Sequence, residues 1–187
     1  MKIGIDLDGT INNVINTWLS HYNIEWHDNL KIEEVTSWDL ADFVKPEAKK
    51  AIYDYLRLPG FFYFGVHLQE NVLSGIKYLK KMGHSLYIVT AYVPESCLDK
   101  YKWLVKFVPQ IDPRNIIFCN DKSTMALDVL IDDGIHNFEG FKGKKIIYTR
   151  PWNVSCDENI YDYRLNNWKE ISHIDLFKNK KQKERIC

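Results

Sequence analysis

Cysteine is scarce in this chain, long apolar runs are missing, and no sign of charge predominates. The four cysteines, Cys97, Cys119, Cys156 and Cys187, are widely spaced and form no C-x-x-C pair. That pattern excludes a disulfide-stapled mini-fold and reads as reduced thiols. No stretch approaches the roughly 18 consecutive apolar residues of a membrane span. Met1 leads directly into Lys-Ile-Gly-Ile-Asp, without the basic and apolar regions of a leader. A cytoplasmic protein with no membrane partner is therefore expected. The 25 basic and 25 acidic residues cancel, which argues against a nucleic-acid surface as the default function. The six histidines show no H-x-x-x-H or comparable spacing and do not suggest zinc.

The composition, 45% hydrophobic and 27% charged over 187 residues, is that of an ordinary globule of one domain, or of one core with an insertion. Lys2 to Asp6, closed by Gly9-Thr10, reads as a buried first strand. Val14, Ile15, Trp18, Leu19 and Tyr22 place a helix from about Asn13 to His21. Between there and His67 aromatic residues crowd, and the clearest element is a helix opened by Pro46, running to about Leu56 and stopped by Pro59-Gly60. Residues 16–66 thus read as an inserted, mostly helical cap.

Alternation then resumes. A helix over about 72–81 ends at Gly83, and a strand follows at 85–89. The next helix starts near Pro94 and runs to about Phe107, with Leu98, Tyr101, Leu104 and Val105 on one face. Short apolar runs follow at 115–118, 129–131 and 145–148. Asn167, with Glu170 three residues on, predicts a capped last helix through Leu176. Strands separated by helices predict an α/β fold with a Rossmann-like parallel sheet. Its core is 1–15 with 67–177, and 178–187 is a basic tail.

Open parallel sheets bind ligands at the carboxyl ends of their strands. The polar residues following each apolar run are Asp6 and Asp8, then Thr90, then Asn120, Asp121 and Lys122, then Asp132 and Asp133. Taken singly each is ordinary: D-x-D-G can form an Asx turn, and a strand-end threonine can bond its local backbone. Together they bring two carboxylate pairs, a hydroxyl and an ammonium to one sheet edge. Four carboxylates there require a compensating cation. Mg²⁺, with its oxygen ligands, suits that need and makes the site fit for phosphoryl transfer.

Asp6-Leu-Asp8-Gly9-Thr10, Thr90, Lys122 and Asp132-Asp133 resemble the four ordered motifs of the haloacid dehalogenase superfamily of phosphatases. Pro59-Gly60-Phe61-Phe62, Lys100-Tyr101-Lys102-Trp103, Asp121-Lys122, Leu130 to Asp133 and Asn167 to Ile171 resemble its 5'(3')-deoxyribonucleotidase branch. The resemblance implies Asp6 as nucleophile, Asp8 as acid and base, and Thr90 and Lys122 as phosphate holders. It also implies Mg²⁺ on the Asp6 carboxylate, the Asp8 main-chain oxygen and one of the Asp132/Asp133 pair. Asp133 is preferred as the ligand and Asp132 as its support, although spacing does not settle the choice. The expected activity is hydrolysis of (deoxy)ribonucleoside 5'- or 3'-monophosphates through an aspartyl-phosphate.

The chain departs from that branch at two positions. Asn120 stands where some relatives carry an arginine, and Val14 stands where relatives carry a base-stacking aromatic, leaving Trp18, one turn later, as a substitute. Trp38 and Phe61 in the cap region are further candidates for substrate contact, with Asn120. Arg150-Pro151-Trp152-Asn153 either lines the crevice or simply closes a loop. The alternatives are another small phosphoester such as a sugar phosphate, a phosphorylated nucleic-acid end, or a non-catalytic, receiver-like module. D-x-D-G-T preceding the other motifs, and the long insertion, argue against a receiver. Oligomeric state is open, a homodimer included. Lys178 to Arg185 holds five basic residues and one acid, so the rest of the chain is acidic.

Overall fold

The computed structural model describes residues 1–178. Six strands, β1 (Lys2–Ile5), β2 (Ser85–Thr90), β3 (Ile116–Phe118), β4 (Val129–Asp132), β5 (Lys144–Tyr148) and β6 (Tyr163–Leu165), form one sheet in the order β3-β2-β1-β4-β5-β6. Every neighbouring pair is parallel. In register, Ile5 lies between Ile88 and Ile131, and all three are fully buried. Strands covered on both faces need continuous apolar runs, which is why the central three read so clearly. The strand order reverses between β1 and β4, where such sheets open a crevice at their carboxyl edge.

Four α-helices accompany the sheet: α1 (Val14–Trp26), α2 (Phe61–Gly65), α3 (Val72–Lys81) and α4 (Cys97–Phe107). Helix α1 runs past the expected His21 and ends at His27, whose φ of 49° is left-handed. Asn23 secures this end by bonding both the N–H and the carbonyl of Leu30.

Three expectations need correction. Residues 46–57 do not form an α-helix: turns lead into a 3-10 helix over Ile52–Arg57. The backbone bonds here are mostly three residues apart, and the Trp18 indole takes the Ile52 carbonyl that a helix ladder would use. The buried face of α4 is Lys100, Trp103 and Leu104, while Leu98 is 62% exposed and Tyr101 and Val105 also face outward. Polar tips decide that orientation. The Trp103 indole donates to the Val66 carbonyl at 2.9 Å, and Lys100 reaches inward to Asp8. The last predicted helix is a pair of 3-10 segments, Trp168–His173 and Asp175–Phe177. Asn167 does cap the first by accepting from the Lys169 N–H, but Glu170 bonds the N–H of Asn166.

Strand β6 was not anticipated, since Tyr-Arg-Leu is too short to carry a pattern; pairing with β5 makes it a strand. Its neighbour Trp168 donates to the Thr10 carbonyl, and a Cβ on Gly75 of α3 would lie 2.6 Å from the Trp168 ring. That close packing ties the C-terminal segment to the turn after β1. A main core spans the sheet and residues from α1 to α2, including Trp18, Tyr22, Ile52 and Phe62. A smaller cluster of Leu130, Phe138, Phe141 and Ile147 covers the other side of β4 and β5.

No helix among the described residues is long and apolar enough to cross a membrane. Cys97, Cys119 and Cys156 are unpaired. Cys187 and all but the first residue of the basic tail lie outside the described residues.

Candidate active site

Four parallel strands, β1 to β4, deliver polar groups to the carboxyl edge, β4 a pair and the others one each. Asp6 follows β1, Thr90 ends β2, Lys122 begins the 3-10 turn after β3, and Asp132 ends β4 with Asp133 next. All five are buried. The Lys122 ammonium bridges Asp6 Oδ1 and Asp132 Oδ2, the latter at 2.6 Å.

One carboxylate oxygen each from Asp6, Asp132 and Asp133 lies within 4.8 Å of the others. Burial pushes the Asp6 carboxyl up to about 7; Lys122 opposes the rise, and the charges of Asp132 and Asp8 add to it. Burial likewise raises Asp133 well above the carboxylate range, reinforced by Asp6 and Asp132 and opposed by Arg150 and Lys122. Burial also works against the Lys122 ammonium, but its two carboxylates outweigh that and hold it protonated. Of the three buried carboxylates, two share the Lys122 ammonium and Asp133 has no ion-pair partner among the described residues, a charge excess that a divalent cation with oxygen ligands would relieve. The donor set fits such an ion.

The turn after β1 is held from several sides. Asn12 accepts from the N–H groups of Gly9 and Val14 and donates to Asp8 Oδ1 at 3.1 Å. Arg150 Nε donates to the Gly9 carbonyl at 2.6 Å, and Gln69 binds the Asn12 carbonyl at 2.8 Å. Gly9 has φ +84°, and a Cβ there would fall 2.4 Å from Asp133 Oδ2. Only glycine lets the turn pass this close to the acid.

Above the carboxylates lies a cavity of about 430 Å³. Its lining combines Asp6, Asp8, Lys122 and Asp133 with the apolar side chains of Val14, Ile15, Val35, Leu40 and Leu56. Trp18, Trp38 and Asn120 also line it. Trp18 is buried with its edge on Tyr53, whereas Trp38 is 55% exposed and packs against His136 and Trp152 across the cavity. Asn120 accepts from the Tyr92 N–H at 2.7 Å and so fixes the loop after Thr90. Phe61 is placed elsewhere: it is buried against His21 and Phe62 and is not part of the lining. An aromatic of segment 16–66 is there packed against other residues of that segment.

Sequence reasoning missed several neighbours of this site. Lys100 Nζ reaches Asp8 Oδ2 at 2.5 Å and Thr90 Oγ1 at 3.3 Å. The available signal was the three-residue spacing of Lys100 and Trp103, which puts both on one helical face. Asn12 carried no signal beyond its closeness to the D-x-D turn. His136 and Asn137 line the cavity because the loop after β4 returns over it. Arg150 and Trp152, left open between crevice and loop, stand at the crevice.

A family model described as 5' nucleotidase, deoxy (pyrimidine), cytosolic type C protein matches residues 1–182. A 5'(3')-deoxyribonucleotidase of Clostridium acetobutylicum is 38% identical over 168 residues, covering 90% of this chain and 91% of that protein. A Bacillus subtilis protein of the same description is 29% identical over 174 residues, covering 90% and 95%. Among solved structures, a haloacid dehalogenase family hydrolase from Deinococcus radiodurans superposes with a TM-score of 0.64 at 12% identity, covering 91% of this chain and 92% of that one. A haloacid dehalogenase-like hydrolase from Streptococcus pneumoniae gives 0.62 at 16% identity, covering 92% and 96%. These two share the fold.

Proposed function

The chain belongs to the family of 5' nucleotidase, deoxy (pyrimidine), cytosolic type C proteins, and from that membership and the site geometry we propose the following reaction and roles. The protein is a phosphoric monoester hydrolase with the haloacid dehalogenase fold, acting on nucleoside monophosphates. The observation that carries the reading is the cavity itself: its lining joins Asp6, paired with Lys122, to aliphatic and aromatic side chains suited to a nucleobase. A polyhydroxylated sugar phosphate would leave hydroxyls against those apolar side chains, so the sugar-phosphate alternative is disfavoured.

Asp6, Asp133 and the main-chain oxygen of Asp8 would hold Mg²⁺. When bound, that ion neutralises phosphate charge and offsets the repulsion among the carboxylates. Lys122 holds Asp6 in place with one oxygen engaged and the other available, and presents its charge to the phosphate. Thr90 offers its hydroxyl at the end of β2. An Asp6 oxygen attacks phosphorus, the bond from phosphorus to the ester oxygen breaks, and its electron pair leaves with the nucleoside oxygen, which takes a proton from Asp8. Water then attacks the aspartyl-phosphate, gives its proton to Asp8, and the released pair restores the Asp6 carboxylate. Residues 16–66 act as the cap that shelters these steps from bulk water.

Purified protein with Mg²⁺, with and without chelator, should be assayed on 2'-deoxy and ribo, 5' and 3' monophosphates beside sugar phosphates. Hydrolysis favouring nucleotides, lost with chelator and in Asp6→Asn, is expected. Equal or better turnover of sugar phosphates would overturn the reading.

A further inference from the structure

Helix α4 carries a lysine where its neighbours on the same face, Trp103 and Leu104, are core residues. Lys100 is only 1% exposed. A buried ammonium is costly unless it is paired, and the groups it meets identify its task. Its Nζ lies 2.5 Å from Asp8 Oδ2, 3.3 Å from Thr90 Oγ1 and 3.4 Å from the Ala91 carbonyl, with the Phe62 ring 5.3 Å away. Asp8 Oδ1 is meanwhile held by Asn12 at 3.1 Å. Both oxygens of Asp8 are thereby fixed from two different elements.

We infer that Lys100 is the positioning residue for Asp8: it holds the carboxyl in line with the ester oxygen and stabilises the carboxylate that forms as the proton leaves. The inference rests on the proposed hydrolysis. The electron pair of the broken ester bond goes to the nucleoside oxygen, the Asp8 proton follows it, and negative charge appears on Asp8 beside the ammonium. Lys122 serves the nucleophile in a parallel manner, so each aspartate of D-x-D has its own buried lysine. Trp103 sets the rotation of α4 through the Val66 carbonyl, which keeps Lys100 directed at Asp8.

Leaving-group dependence separates this role from simple phosphate binding. A nucleoside alkoxide needs a proton as it departs, whereas p-nitrophenolate does not. Lys100→Met is expected to lower kcat/KM for a 2'-deoxynucleoside 5'-monophosphate by about 100-fold, while kcat/KM for p-nitrophenyl phosphate stays within about threefold of the parent, as that ratio reports only the first step. Lys100→Gln, which keeps a donor without the charge, should show the same selectivity and serves if the methionine variant does not fold. Lys102→Met, on the exposed face of α4, should change neither substrate. Equal losses on both substrates, or no loss on either, would overturn the inference. If the parent enzyme itself ignores nucleotides but hydrolyses other alkyl phosphates, the substrate reading fails, and Lys100 is still judged by alkyl against aryl esters.

Discussion

Asp132 and Asp133, adjacent at the end of β4, are used in opposite ways. Asp132 has both oxygens engaged: Oδ1 accepts from the Gly134 N–H at 2.9 Å and Asn137 Nδ2 at 2.8 Å, and Oδ2 accepts from Lys122 at 2.6 Å. The Asp133 carboxyl, among the described residues, takes one hydrogen bond, from the Thr10 hydroxyl to Oδ1 at 3.1 Å. An acid already surrounded by donors serves as a brace, while one with a spare oxygen facing a cavity is suited to an ion.

That contrast predicts different failures. Asp133→Asn should weaken Mg²⁺ binding by at least about tenfold, read by calorimetric titration, with little change in unfolding temperature. Asp132→Asn removes one of the two carboxylate partners of the buried Lys122 ammonium and should lower stability by roughly 1–3 kcal/mol in denaturant unfolding. Equal loss of metal affinity in the two variants would contradict the assignment.

Trp38 and Phe61, two aromatics of segment 16–66 singled out for substrate contact, should also separate. Trp38→Ala exposes no core and should raise KM for nucleotides several-fold at nearly unchanged stability. Phe61→Ala empties a buried position and should cost about 3–5 kcal/mol of stability, with KM of the folded fraction unchanged. A KM effect from Phe61 equal to that of Trp38 would put Phe61 back at the substrate.

The orientation of α4 can be tested by paired substitutions. Leu98→Glu on the exposed side should change stability by no more than about 0.5 kcal/mol, whereas Leu104→Ala should cost about 2–5 kcal/mol. The reverse ranking in urea unfolding would restore the face suggested by apolar spacing alone.

Tyr22 and Asp28 supply a pH prediction away from the site. The Tyr22 hydroxyl donates to Asp28, and this bond, aided by the Asn29 N–H, holds the Asp28 carboxyl below its ordinary range. A carboxyl depressed on folding contributes stability above its unfolded pKa and loses it as pH falls through the folded value. Tyr22→Phe should therefore move the Asp28 titration, followed by carboxyl carbon NMR, upward toward about 3.9. An unmoved midpoint would show that the hydroxyl is not the cause.

The sequence by itself determined the central strands of the sheet and the order of its chemistry. Strands buried on both faces must be continuous apolar runs, so β1, β2 and β4 could be read directly, and each polar residue closing a run had to emerge at the same edge. Asp6, Thr90, Lys122 and Asp132-Asp133 follow from that rule. Tertiary structure decided whatever depends on partners remote in the chain. Lys100 lies 92 residues from Asp8, and a pattern built on apolar spacing turns a helix away from a buried lysine. The 3-10 segments of 52–57 and 168–177 arise where distant groups, the Trp18 indole and the turn after β1, bind or pack against the local backbone. The difference between Asp132 and Asp133 is likewise invisible in a D-D dipeptide, because it is made by Lys122, Asn137 and Thr10 arriving from three other elements.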